Sequence, residues 1–395
     1  LQMRDADLAR IRIKGFVLQS AVLIRCDCSD AYLEEVNFAM ADLFGSNFTR
    51  SVLSGSSFVR ADVRGANFMK ANLQRTDFDQ ADLRPGQILR VGDTEEVRER
   101  TLLTDAAMDG VSFRCADLSH ADLIRATARR GNFSEANLFA ANLSGADLTN
   151  ANFQKAKLQR AILSGADLTG TCLIHADLRE AILRNVDLSR ANTAGANLQG
   201  AVYNRGRATL PSDINAALDA HALWINTGGK SGSRADFTDA DLSGMDLSAC
   251  DFSGAVFRSA KLGRTNLVSS CLAMADLRGA DLTRARLDHA VLAGANLAEA
   301  DLTGAVAVEC DFGPMELRSA EGTLTGRDWP TDLSGATLNN ADLRGARLTS
   351  ARVEGAAFRH ANLASADLRG CAESTADFTV AVLTGARRGA LPPRA

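Results

Sequence analysis

Carboxylates recur along this chain at one regular place: Asp117, Asp122, Asp147 and Asp167 each stand immediately before a leucine. Paired acids could exchange protons with a substrate. The same residue types also make turns by hydrogen-bonding their own backbone, and so regular a placement favours a turn-stabilising, solvated ladder. Four of the 5 histidines, His120, His175, His289 and His360, fall two residues after a Leu or Phe and are expected to face solvent. Scattered as they are, they form no HxxxH pair and no His/Cys cluster of metal spacing, so no metal site is assigned. Gly229-Lys230-Ser231 invites a phosphate-loop reading, but that motif needs a glycine five residues before its second glycine, and Trp224 stands there. No GxSxG elbow or Ser/His/Asp arrangement is visible. His221 with Trp224 is better read as packing than as a ligand pocket. No catalytic residue and no cofactor is assigned.

Cysteine adds no chemistry. The 8 cysteines form no CxxC pair and no compact framework. Cys26, Cys250, Cys310 and Cys371 take a place elsewhere held by Ala, and Cys28 one held by Leu or Phe, so these five read as small buried hydrophobes. Cys115, Cys172 and Cys271 fall on outward places, and free thiols fit a reducing compartment.

The elements behind this regularity follow a five-residue period. The Leu/Phe of A(D/N)(L/F)xx marks a slot, and slots recur from Met3 to Leu83, Phe113 to Tyr203, Phe237 to Leu317 and Leu333 to Leu383. Of these 64 slots 54 hold Leu or Phe, including 14 of the 17 Phe residues, and two places earlier the residue is small, as in Ala61, Ala66, Ala71, Ala141, Ala146 and Ala151. Neither regular helix nor plain strand keeps every fifth residue on one face. Five helical residues advance about 500°, a drift of about 140° per repeat, and an odd step along a strand reverses the side chain. The chain must therefore turn a corner once per repeat, burying one large and one small residue. Only 5% of the chain is aromatic although 46% is hydrophobic, which suits a narrow core.

ADLSG, ANLSG and ADLTG resemble the pentapeptide-repeat family over roughly four-fifths of the chain. The resemblance implies an all-β solenoid, a right-handed quadrilateral β-helix with four repeats per coil and the Leu/Phe and preceding small residue inward. Phenylalanine spacing supports four sides on its own. Phe38, Phe48, Phe58, Phe68 and Phe78 recur every ten residues. Twenty residues per coil would stack Phe38, Phe58 and Phe78 in one column and Phe48 and Phe68 opposite. Phe113, Phe133 and Phe153 also repeat at twenty, as do Phe237 with Phe257 and Phe358 with Phe378. The slots make about 16 coils, a rod of roughly 75–80 Å at ~4.8 Å per layer if unbroken.

Three segments break the period, giving arrays over 1–203 and 235–395 around a linker, 204–234. A charged loop is expected near 84–112, marked by Pro85-Gly86; Phe78 and Phe113 are 35 apart, and removing 15 restores the register. The linker holds a short helix near 212–225, with Pro211, then Ser212 or Asp213 as cap, and Ile214, Leu218 and Ile225 near one face. His221, Trp224 and Gly228-Gly229-Lys230-x-Gly232-x-Arg234-Ala235-Asp236 resemble a lead-in segment of some family members, which implies that the helix caps the second array. An open β-helix end exposes unpaired backbone groups, so a cover is needed. The third break is expected near 318–332, around Trp329-Pro330. Glu373, in an inward slot, should bulge the last coils, and Pro392-Pro393 cannot donate to a further layer.

With 44 Lys and Arg against 48 Asp and Glu, the net charge is −4. A non-specific nucleic-acid binder needs a basic surplus. The outer basic residues Arg50, Arg60, Lys70, Arg125, Arg129, Arg130, Lys155 and Arg160 are interspersed with acids, a mixed soluble exterior. No apolar run of 18 residues exists to span a membrane, and the opening LQMRDADLAR carries no leader. A cytoplasmic chain is expected, and its opening within a repeat suits a sequence that continues upstream. A core one side chain deep offers long faces and no cleft. The first expectation is a non-catalytic scaffold binding an unidentified protein, with end-to-end self-association as a further mode. The alternative within the family is topoisomerase (gyrase) protection or toxin immunity by DNA mimicry. A mimic ~77 Å long would want on the order of 45 negative charges.

Overall fold

The computed structural model describes residues 1–88, 97–318, 324–372 and 375–391. The chain divides into two compact units, Leu1–Val202 and Tyr203–Ala395. Glu373, Pro392 and Pro393 lie outside the described residues.

One repeat shows why the motif folds as it does. In Ala41–Gly45, the Ala41 N–H closes a tight turn on the Phe38 carbonyl at 3.0 Å. Asp42 N–H donates to Ala21 O in the coil before at 2.8 Å, while Leu43 and Gly45 donate to Asp62 O and Arg64 O in the coil after at 2.7 and 2.9 Å. That leaves one backbone donor, Phe44 N–H, and the Asp42 carboxylate takes it at 3.2 Å. A polar Asp or Asn before each slot therefore completes the backbone's hydrogen bonding. Where that residue is not Asp or Asn, the coil before can supply the acceptor. Arg114, Arg129 and Arg359 N–H donate to Asp79, Asp109 and Asn339 at 3.0, 3.1 and 2.9 Å.

The fifth residue of most described repeats holds a left-handed backbone, at φ of 64° for Gly45 but also 58° for Arg50 and 61° for His120. A non-glycine there costs about 1–2 kcal/mol. Composition favours glycine at such a position, yet charged residues often occupy it. Their side chains meet the same position one coil away: Arg25 with Asp5 at 2.7 Å, Arg50 with Asp30 at 2.6 Å, Arg125 with Asp105 at 2.7 Å and Arg160 with Glu180 at 2.7 Å. Exposed pairs are worth about 0–1 kcal/mol each, so the strain is carried mainly by the backbone ladder.

In the first unit the circuit is twenty residues: Asp7 bridges Asp27, Asp27 bridges Asn47, and Asn47 bridges Asn67, all parallel. Phe38, Phe58, Phe78, Phe113, Phe133 and Phe153 stack in sequence with ring centroids 4.5–5.2 Å apart. Phe48 and Phe68 stack at 5.0 Å and meet the other column edge-on at 5.7–6.4 Å. Past Leu83 the chain leaves as a hairpin, Gly86–Ile88 antiparallel to Val97–Glu99. The period resumes earlier than the expected 112. Asn67 bridges Leu102, 35 residues on and fifteen beyond the normal circuit, and Leu103 and Met108 are fully buried slots. Met108 fills an inward slot as Val63 does, and Thr101 takes the small inward position as Thr76 does before Phe78.

In the second unit, the helix spans Ser212–Asn226. Neither Ser212 nor Asp213 caps it. Pro211 holds that place without a side-chain bond, since its fixed φ already suits a helix start. Leu218, His221 and Ala222 are buried, and Leu218 joins the core with Leu242 and Leu247 of the first coils. Phe237 and Phe257 stack at 5.1 Å with Phe252 edge-on to both, and Phe358 stacks on Phe378 at 4.7 Å. The later break starts before residue 318. The array leaves after Phe312, and Leu317 is not a core slot but part of a hairpin strand, Met315–Arg318, antiparallel to Leu324–Trp329. Asn296 then bridges Asp332, 36 residues on.

Both insertions branch at the same point of a repeat and close on a buried threonine. Thr101 Oγ1 accepts from Gly65 N–H at 3.0 Å and contacts Val63 O and Arg84 O at 3.3 Å. Thr331 Oγ1 accepts from Gly294 N–H at 2.9 Å and lies 3.0 Å from Leu292 O and 2.8 Å from Gly313 O. Valine has the shape of threonine without the hydroxyl. Thr331→Val should cost about 1 kcal/mol, the net worth of the hydroxyl's hydrogen bonds, because Gly294 N–H keeps Gly313 O at 3.2 Å and Leu292 O keeps Ala295 N–H at 2.9 Å. A lowered thermal midpoint and faster exchange of the Gly294 amide would register it; an unchanged midpoint would deny the clasp its role.

Candidate functional site

The recurrent carboxylates are occupied by the chain itself. Asp117 accepts from Ser119 N–H at 2.9 Å, Asp167 from Thr169 N–H at 2.9 Å, and Asp147 from Thr149 N–H at 3.1 Å and Arg129 at 2.6 Å. Asp122 takes Arg100 at 3.0 Å. Arginines two residues after the acid repeat this pairing, as in Arg179 on Asp177 at 2.7 Å and Arg344 on Asp342 at 2.8 Å. The Arg278 guanidinium, joined by Arg258, holds the Asp276 carboxyl down at about 2. A proton-transfer residue needs a pKa near the working pH, and this acid is far from it. The acceptor turn recurs in repeats of both units, as at Asp42, Asn132, Asp281 and Asp367.

The family model for pentapeptide repeats matches residues 2–39, 15–50, 46–84, 99–127, 131–170, 171–202, 235–273, 275–313 and 331–363. The chain belongs to the pentapeptide-repeat family. Among solved structures, it is similar to QnrB1, a plasmid-mediated fluoroquinolone resistance protein. That match has 17% identity and a TM-score of 0.30, covering 54% of this chain and 96% of that one. HetL, a pentapeptide repeat protein involved in heterocyst differentiation regulation from the cyanobacterium Nostoc sp. strain PCC 7120, matches at 21% identity and a TM-score of 0.16. It covers 96% of this chain and 91% of that one. Rfr23, from the cyanobacterium Cyanothece 51142, matches at 25% identity and a TM-score of 0.18, over 36% of this chain and 88% of that one. No curated protein matches the chain.

Other residues singled out in this pentapeptide-repeat chain fall into structural roles. His175, His289 and His360 are exposed, but His120 is half-buried, edge-on to Phe139 at 5.5 Å. Burial pushes the Cys28 thiol up to about 12 and that of Cys250 to about 11; neither is a thiolate at neutral pH. Cys371 is only partly buried, its Sγ 2.9 Å from Leu348 O. Gly228, Gly229 and Lys230 close the helix, with Gly229 N–H on Trp224 O at 2.8 Å. Among the described residues no helix is long and apolar enough to cross a membrane.

The cap is built from polar residues that pattern reading passed over. Buried Arg207 pairs with Asp219 of the helix, and Asn204 donates to Asp246 O at 3.0 Å. His221 is fully buried, stacked on Trp224 at 5.5 Å, and its Nδ1 accepts from Ala235 N–H, the first residue of the array, at 3.1 Å. Burial lowers the His221 pKa; Asp251 pulls it upward and Arg234 adds to the lowering. The unfolded chain therefore binds the proton first. The cap's contribution is full above about pH 6.5 and is lost as pH falls through the lower folded value. Thermal midpoints from about pH 7.5 to 5 should fall in the wild type. His221→Asn should be less stable at neutral pH but show a flatter slope; an equal slope would place the titration elsewhere.

A hollow lies outside the ladders. Beside the second hairpin a cavity of about 310 Å³ is lined by Arg234, Met274, Asp276, Asn296, Trp329 and Arg352 among others. Its signal in the sequence was slight: one of 2 tryptophans, placed in a break of the period.

Proposed function

We propose that this protein is a non-catalytic scaffold that binds another protein, organised as arrays 1–203 and 235–395 around the capping segment 204–234. One observation carries it: the acids that resemble catalytic pairs are spent on backbone N–H groups and arginines, as Asp147 is on Thr149 and Arg129. What remains for recognition is the set of flat faces, the hairpins and the cap. DNA mimicry ranks below this reading, because guanidinium groups neutralise the acid ladders locally. Asp62 and Asp82 share Arg64, and Asp82 also holds Arg84 at 2.7 Å. A duplex offers no such cations.

An affinity capture followed by mass spectrometry, using the chain with and without 85–99, tests the scaffold. That excision removes the fifteen inserted residues and spares Leu103 and Met108. Specific, saturable capture of a discrete partner is the expected result. A gyrase supercoiling assay forms the second arm: protection or inhibition at stoichiometric amounts, with no partner captured, would reverse the ranking.

A further inference from the structure

The hollow beside the second hairpin has an apolar floor and an uneven supply of hydrogen-bonding groups. Gly294, at φ +69°, lets three large side chains converge: a Cβ there would lie 2.7 Å from Met274 Sδ, 2.8 Å from Met315 Cβ and 3.3 Å from Trp329 Cδ1. Met274 and Trp329 nevertheless stay 38% and 53% exposed. The carboxylates at the rim are engaged. Asp276 holds Arg258 at 2.7 Å and Arg278 at 2.9 Å, and Asp332 accepts from Ser334 N–H at 3.0 Å. The guanidinium groups are less satisfied. Arg352 reaches Asp332 only at 3.9 Å, beyond hydrogen-bond distance, and Arg234 is anchored through Nε on Gly254 O. The unspent capacity is therefore cationic donors around an aromatic and thioether floor.

We propose that this groove docks an extended segment of a partner protein in which a carboxylate stands beside a large apolar side chain. The apolar group lies on Trp329 and Met274, where an aromatic anchor contributes most of the binding energy. The carboxylate takes Arg352 and Arg234, and arginine favours paired bonds to such a group. Two-stranded hairpins are marginal in water on their own. Here the Leu324–Trp329 strand is exposed along residues 325–329, so a bound segment would also cover it. This inference rests on the scaffold reading and names the chemistry of its partner.

The probe is a fluorescein-labelled ten-residue peptide centred on Asp-Glu-Leu-Phe-Asp-Glu, titrated with the full chain by fluorescence anisotropy. Controls carry Lys for each acid, or Ser for Leu and Phe. The acidic apolar peptide should bind saturably and both controls at least about tenfold more weakly. Trp329→Ala and Arg352→Glu should each weaken it by about tenfold or more. Arg352→Glu should also reverse the preference toward the Lys peptide, a result that misfolding cannot produce. Equal binding of all three peptides, or wild-type affinity in both variants, overturns the groove. So does tighter binding of a single-stranded oligonucleotide, or a concentration-dependent dimer in sedimentation velocity that Trp329→Ala dissolves. If peptides fail while the captured partner still binds Trp329→Ala, the groove assignment falls and the scaffold stands. If no partner is captured and gyrase responds, the scaffold itself fails.

Discussion

Replacing Phe58 by alanine should destabilise the first unit by about 3–5 kcal/mol, the cost of removing a phenyl ring from a core that cannot close over the void. Phe58 is fully buried between Phe38 at 5.0 Å and Phe78 at 4.6 Å, with Phe48 and Phe68 edge-on at 6.1 and 5.9 Å. Its main chain is held by Asp77 O above, at 2.6 Å, and through its own carbonyl by Ala61 N–H at 2.9 Å. The ladder therefore pins the column and prevents collapse into the space. Phe58→Leu separates volume from mere apolarity. Leucine occupies most slots, so this variant should lose less than half as much, near the roughly 1.5 kcal/mol of a tolerated core exchange. Denaturant unfolding would read both. Equal losses in the two variants would mean that the rings are not a stacked column.

Gly232→Ala should strike the second unit comparably, for a different reason. Gly232 holds φ +75°, and a Cβ there would sit 2.2 Å from Ala220 O, 2.7 Å from Trp224 N and 3.0 Å from Leu223 Cβ. Two of these atoms are helix backbone and cannot move aside. The helix must shift from its seat, exposing Leu218 and His221, which are buried in the cap. A loss of about 3 kcal/mol or more follows from strain and lost burial together. In a solenoid each layer is held only by its neighbours, so fraying should begin at the first coils. Gly244→Ala is the matched control. Its φ is +71° with nothing within 4 Å of the added carbon, so it meets only the backbone cost of about 1–2 kcal/mol. Hydrogen exchange should rise from Phe237 to Leu262 in Gly232→Ala and not in the control. Indistinguishable variants would mean that the helix does not cap the array.

Legibility followed range. Phe78 and Phe113, 35 apart, already carried the length of the first insertion, because a column of rings cannot skip a layer. The expected end of the insertion lay about ten residues late, since the charged run over 95–100 masks the return of the five-residue step at Leu103 and Met108. The second hairpin took in Leu317, whose spacing mimics a slot although its strand runs antiparallel. Glycine content pointed to turns, yet did not show that Arg50, Lys70 and His120 hold the same left-handed backbone.

What the amino-acid order determined by itself was the local and periodic part: the corner every five residues, the inward pair, and the Asp or Asn that stabilises most turns. Those follow from interactions within one repeat or between identical repeats, so one motif read many times states them. The tertiary structure alone decided which acids are silenced by which arginines, how His221 grips Ala235, and that Met274, Met315 and Trp329 converge over Gly294. Each of those contacts joins residues without a common period, and only the closed coil brings them within reach.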